Sequence, residues 1–178
     1  MQPNEGFFKK VYPILIVTIV VFASVIFLNF ANAFSAPLIQ AQEDAAFLAP
    51  LKAIFPDYTD FKKEGDVFTL SGGGKTVGYA FKAKGTGYGG DIIIVVAIAP
   101  DKSTVKGISV ISQSETAGLG TRVTLPSFTD RFAGKKIEEV KLRADGGTID
   151  GISGSTISSR AVVNAVRETA LSIIGTLP

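Results

Sequence analysis

From Val11 to Gln42 no side chain is charged, and the stretch from Val11 to Phe30 is almost wholly apolar. A helix rises ~1.5 Å per residue, so a run of this length spans a hydrocarbon core of ~30 Å. Lys9 and Lys10 precede the run, and Glu43 and Asp44 follow it. By the positive-inside rule, residues 1–10 lie in the cytoplasm, residues 11–34 form a transmembrane anchor, and residues 35–178 form a domain outside it. The expected location is the inner (plasma) membrane, crossed once and in contact with lipid. Ala31-Asn32-Ala33 offers an alternative, a cleaved secretory signal, but the apolar run is longer than a usual signal core of ~7–15 residues. Gly6-Phe7 resembles a pilin-type leader site, yet the acidic residue wanted at position 11 is Val11.

The chain has 178 residues, enough for one domain with its own core plus an anchor. It contains no cysteine and no histidine. That removes disulfides, thiolate and imidazole metal sites, haem attachment and any His-based catalytic triad. Lys and Arg number 18 against 16 Asp and Glu, so charge gives no reason to expect nucleic acid as a partner.

Beyond the apolar run, Ala45, Phe47, Leu48, Leu51 and Ile54 recur at helical spacing, which predicts a short amphipathic helix over 42–55, with Pro50 as a kink and Pro56 as a stop. Four β-like runs follow: Val67–Leu70, Val77–Ala83, Ile92–Ile98 and Val105–Ile111. The third is apolar on both faces, the mark of a central strand covered on two sides. Pro126–Phe132 reads as a short helix and Ile137–Leu142 as a short ordered segment. From Thr156 a helical face of Ile157, Ala161, Val162, Ala165, Val166, Thr169 and Ile173 emerges, ended by Gly175 and Pro178. Strands followed by a closing helix predict an α+β domain: an antiparallel-rich sheet with flanking helices, preceded by one transmembrane helix.

Three motifs fail on their context. Gly85-Thr86-Gly87-Tyr88-Gly89-Gly90 satisfies GxGxxG, but a strand follows it where a dinucleotide fold needs a helix, so it reads as a hairpin connection or a backbone surface open to close approach. Gly74-Lys75-Thr76 looks like the end of a P-loop whose first glycine is missing, since that position is Thr69. Gly151-Ile152-Ser153-Gly154 partly matches a nucleophile elbow, but the fifth position is Ser155 and no histidine exists to act as base.

The stretch Asp150 to Ser159 packs small hydroxylated residues where a loop becomes the last helix. Two readings are open from the residues alone. Ser, Thr and Asp are preferred helix caps; equally, the unpaired N–H groups of a helix start attract phosphate.

Ser153-Gly154-Ser155-Thr156 resembles the Ser/Thr-Gly-Ala-Thr flavinylation motif of the FMN-binding domains in Rnf and Na⁺-translocating NADH:quinone reductase complexes. Ser114-Glu115-Thr116-Ala117-Gly118-Leu119-Gly120 resembles a second motif of that family, Glu-Thr-Pro-Gly-Leu-Gly. The anchor, Gly87-Tyr88-Gly89-Gly90-Asp91-Ile92 and Ser158-Ser159-Arg160-Ala161-Val162 match in the same order, so the resemblance covers nearly the whole chain and is closest to the Rnf G subunits. Ser155 stands where the family usually has Ala, and Ala117 where it usually has Pro.

The resemblance implies one covalent FMN, its phosphate esterified to Thr156 by a flavin transferase. Ser153, Gly154 and Ser155 would shape the phosphate turn, with Ser158 and Ser159 as further donors. Glu115, Thr116, Gly118, Leu119 and Gly120 would lie against the isoalloxazine ring. Arg143 would meet an anionic group of the flavin, or else remain a solvated surface arginine before the Asp145-Gly146-Gly147 turn. The implied role is an electron carrier among the other membrane subunits of a complex that couples electron flow between ferredoxin and NAD to Na⁺ or H⁺ movement. Membership of the quinone-reductase branch, or a colourless anchored binding module, are the alternatives.

Overall fold

The computed structural model describes residues 5–177, with the backbone alone for 5–10, 37, 38, 40 and 41. Met1–Asn4 of the expected cytoplasmic segment, and the helix stop Pro178, lie outside the described residues. The chain divides into two units, Met1–Ala45 and Ala46–Pro178.

Helix α1 runs without interruption from Glu5 to Ile54. The sequence suggests an anchor and a separate short helix over 42–55, but the two are one element. Residues 35–41, Ser-Ala-Pro-Leu-Ile-Gln-Ala, contain no glycine to end a helix, and neither Pro37 nor Pro50 breaks it. Within the first unit, Val11–Ala36 has a mean hydropathy of 2.8 and is long and apolar enough to cross a membrane. Three of its polar side chains bond back into their own helix: Thr18 Oγ1 donates to the Ile14 carbonyl, Ser24 Oγ to that of Val20 and Asn29 Nδ2 to that of Val25, at 2.8–2.9 Å. A helix in lipid needs this self-sufficiency, because no water is there to satisfy a stray donor.

In the second unit five strands, β1 (Asp60–Glu64), β2 (Val67–Gly72), β3 (Lys75–Thr86), β4 (Asp91–Ile98) and β5 (Val105–Gln113), form one antiparallel sheet in chain order. Short connections permit this meander, since antiparallel neighbours need only a turn between them. Strand β4 sits inside the sheet and alternates as its sequence requires. Ile92, Ile94, Val96 and Ile98 join one apolar cluster with Phe81, Phe128, Phe132, Val162 and Val166. Val95 and Ala97 face the opposite cluster, with Phe47, Leu51 and Phe55 from the end of α1 and the residue after it. All of these β4 side chains are fully buried, each contributing about 1.5–3 kcal/mol for the larger ones.

The sheet's first-named face carries α3 (Thr156–Ile174). Close approach of this helix to β3 needs a residue without a side chain: a Cβ on Gly85 would lie 2.6 Å from the Ala161 carbonyl oxygen. Between β5 and α3 the chain makes 3-10 turns and the short helix α2 (Pro126–Thr129). Pro126–Phe132 is thus helical in two pieces, and within Ile137–Leu142 the ordered part is a single 3-10 turn over Ile137–Glu139. The predicted face of α3 is buried at Val162, Ala165 and Val166, but Ile157 is 55% exposed and Ser158 and Ser159 are buried instead. The first turn of α3 is rotated toward a cavity, not the core.

Candidate functional site

Three segments converge at that first turn: the β3–β4 connection Gly87-Tyr88-Gly89-Gly90, the stretch after β5 from Ser114 to Gly120, and the loop entering α3. Together they wall a cavity of about 560 Å³, within the range of small-molecule and cofactor sites. Tyr88 comes from the first segment, Glu115, Thr116, Leu119 and Gly120 from the second, and Gly154, Ser155, Thr156, Ile157 and Ser158 from the third.

The loop is bent by Gly154, whose φ of 79° lies in the left-handed region that side chains rarely adopt. The Ser155 N–H then donates to the Ile152 carbonyl at 2.9 Å, and the Ser159 N–H to the Ser155 carbonyl at 2.9 Å, starting α3. The helix therefore begins with N–H groups that have no intrahelical acceptor. Ser155 occupies the cap position but makes no side-chain cap bond; its Oγ is buried without a partner. The cap reading of this serine fails, and the helix start faces the cavity with its dipole uncapped by a side chain.

The hydroxyls of the loop divide sharply. Ser159 is fully buried, and its Oγ accepts the Ile152 N–H at 3.0 Å, tying the loop to the helix. Ser158 Oγ donates to Glu115 Oε2 at 2.7 Å. Ser153 is exposed and does not line the cavity; its carbonyl accepts from Arg122 Nη1 at 3.5 Å. Thr156, the first residue of α3, is exposed and lines the cavity.

Glu115 is held on both oxygens, its Oε1 accepting the Gly89 N–H at 3.1 Å. Gly118, with φ 78°, does not line the cavity but bends the wall, its N–H donating to Thr121 Oγ1 at 3.1 Å. Arg143 lies elsewhere. Its guanidinium grips Asp150 at 2.6 and 3.2 Å on the outer side of the loop, and it is absent from the cavity wall. Arg160 grips Asp145 in the same bidentate manner at 2.9 Å. Each arginine holds its aspartate below the ordinary carboxylate range, chiefly through these hydrogen bonds. A neighbouring guanidinium, Arg131 Nη1, donates to the Asp150 carbonyl.

The structure thus brings together Glu115, Thr116, Leu119, Gly120, Gly154, Ser155, Thr156 and Ser158, and leaves Ser153, Ser159, Gly118 and Arg143 off the wall. Two wall residues are not on the sequence-derived set, Tyr88 and Ile157. Tyr88 is signalled by the glycines around it, which open the backbone there; Ile157 is masked by its fit to the helical periodicity.

The fit to a flavin mononucleotide rests on these features: a largely apolar wall for a ring, an unpartnered buried hydroxyl at Ser155, and an uncapped helix start for a phosphate. The FMN-binding domain matches residues 87–170, which take in all three segments. The G subunit of the ion-translocating oxidoreductase complex of Methanosarcina acetivorans is 34% identical over 72% of this chain and 74% of its own length. The G subunit of the proton-translocating ferredoxin:NAD(+) oxidoreductase complex of Clostridium ljungdahlii is 32% identical over 73% and 70%. The solved C subunit of the Na(+)-translocating NADH-quinone reductase from Parabacteroides distasonis shares the fold with a TM-score of 0.53, at 28% identity over 63% of each chain. The chain belongs to the family of G subunits of ion-translocating oxidoreductase complexes, as the extent of the first two matches shows.

Proposed function

We propose that this chain is a membrane-anchored electron-carrier subunit that holds one FMN through a phosphoester on Thr156. The observation that carries the reading is the state of the hydroxyls. Ser158 is committed to Glu115, Ser159 to the Ile152 N–H, Ser155 is buried and Ser153 lies off the wall, so Thr156 alone among them is both accessible and on the cavity. Its place at the start of a 19-residue helix sets N–H groups and a dipole toward the phosphate.

Thr156 would hold the group through its hydroxyl oxygen, which would replace AMP on the FMN phosphorus of FAD in a flavin transferase. Such a bond keeps the cofactor on a carrier that would otherwise lose it to dilution. When bound, FMN supplies the electron transfer itself. The chain's part is to orient it: Gly154 turns the loop, Leu119, Ile157 and Tyr88 offer apolar surface to the ring, and Glu115, Thr116 and Gly120 complete the wall.

The relatives' names point to a complex in which electron flow between ferredoxin and NAD(+) is coupled to ion movement, and this chain takes the corresponding place among other membrane subunits and lipid. No Asp, Glu, Lys or Arg lies in Val11–Ala36, so ion passage belongs to other subunits. With Lys9 and Lys10 before the span, the domain sits outside the cytoplasm.

Production with a flavin transferase tests the reading. The wild-type chain should run as a fluorescent band on a denaturing gel, and Thr156→Ala should remain folded but dark. A fluorescent Thr156→Ala band, or a dark wild-type band beside a fluorescent control substrate, overturns it. The colourless binding module predicts the dark band.

A further inference from the structure

Glu115 is the one buried acidic side chain among the described residues, 9% exposed. An ionised carboxylate withdrawn from water requires a partner, yet no described ion pair includes Glu115. Both of its bonds come from neutral donors, the Ser158 hydroxyl at 2.7 Å and the Gly89 N–H at 3.1 Å. The Gly89 N–H can only donate, so Oε1 is bound as an acceptor. The main chain also serves it, the Glu115 N–H donating to Gln113 Oε1 at 2.5 Å.

The space for this group is created by two glycines, one on the β3–β4 connection and one on its own segment. A Cβ on Gly87 would stand 2.0 Å from Oε1, and one on Gly120 would stand 2.1 Å from Oε2. One side chain therefore joins the β3–β4 connection, its own segment and the first turn of α3, which are the three parts of the cavity wall. An apolar residue could fill such a volume at no electrostatic cost. An acid there puts a negative charge, in no ion pair among the described residues, on the rim of a cofactor cavity.

We propose that Glu115 is a positioning residue with two effects: its carboxylate locks the three wall segments together, and its charge holds down the reduction potential of the flavin. The second effect rests on the function proposed above. A fixed negative charge in a partly desolvated wall opposes the arrival of electrons, and the opposition grows as the local dielectric falls. The two donors moderate the charge without cancelling it, so the strength of the Ser158 bond adjusts the effect.

Two full-length variants separate these effects. In Glu115→Gln the amide oxygen can accept the Gly89 N–H while the NH₂ donates to Ser158 Oγ, so shape is kept and charge is lost. In Ser158→Ala the charge is kept and one donor is lost. Spectroelectrochemical titration of flavinylated protein should find the midpoint potential of Glu115→Gln more positive than wild type and that of Ser158→Ala more negative. Potentials that coincide with wild type, or move in the same direction in both variants, overturn the electrostatic effect. Locking is read without flavin, by chymotrypsin cleavage after Tyr88 and Leu119. Glu115→Ala should be cut there several-fold faster than wild type and Glu115→Gln at nearly the wild-type rate; equal rates in all three overturn it. If intact mass shows no flavin on wild type, the electrostatic effect falls with the function it rests on, and proteolysis alone decides the locking.

Discussion

Two kinds of carboxylate flank the loop that enters α3, and they are stabilised in opposite ways. On the inner side Glu115 is buried and satisfied by neutral donors. On the outer side Asp150 and Asp145 are solvated and gripped by Arg143 and Arg160. Outside, water already solvates each charge, so an ion pair adds little and serves mainly to shape the turn. Inside, the loss of water makes each bond to the charge matter, and no described ion pair dilutes the field it projects into the cavity. Arg143 and Arg160 thus serve the outer turn, and Glu115 is the charged side chain among the described residues of the cavity wall.

The largest effects should come from breaking the inner arrangement. Glu115→Ala leaves the Ser158 hydroxyl and the Gly89 N–H without an acceptor, each costing about 1–3 kcal/mol where it stays buried, and thermal or urea unfolding of the domain reads the loss. Gly120→Ala should approach this cost, about 1–3 kcal/mol for overpacking, because its Cβ displaces Glu115 Oε2. If either variant melts with wild type, the inner carboxylate is not a structural lock.

A smaller effect of opposite sign is expected at Ser155, whose buried Oγ has no partner. Ser155→Ala removes that unsatisfied group and should stabilise the flavin-free chain by about 1 kcal/mol, with covalent flavin retained. Loss of flavin in this variant would show that the hydroxyl turns to the phosphate on loading.

The smallest effect belongs to the outer side. Because Arg143 lowers the folded pKa of Asp150, the pair's contribution is present above the unfolded aspartate value of ~3.9 and disappears as pH falls through the lower folded value. Arg143→Ala should therefore flatten the pH dependence of melting on the acid side of that value, with flavin content unchanged. A drop in covalent flavin instead would return Arg143 to the cofactor's binding set.

What the sequence discloses follows the same inner and outer division. Strand β4 is legible because Ile92 to Ile98 is apolar at every position, which only a doubly covered strand explains. Strand β1 is not, since Asp60-Phe61-Lys62-Lys63-Glu64 is exposed throughout and exists by virtue of its pairing with β2. The single helix α1 reads as two because its apolar run ends near Ala36 while its helical geometry does not. At the site, Thr156 and Glu115 are named by motif, but the bond from Ser158 to Glu115 crosses 43 residues and no local pattern encodes it. Ile157 is misread for a related reason: periodicity reports the axis of a helix face, not the point along it where core gives way to cavity.

The central claim is that Thr156 is the covalent acceptor, and tandem mass spectrometry of the flavinylated chain tests it most directly. Trypsin releases residues 144–160 as one peptide holding Ser153, Ser155, Thr156, Ser158 and Ser159. Fragment ions should place a single FMN, less one water, on Thr156, with every ion that excludes this residue unmodified. An adduct on Ser153, Ser155 or either serine of the helix, or an unmodified peptide from a fluorescent protein, would contradict the account.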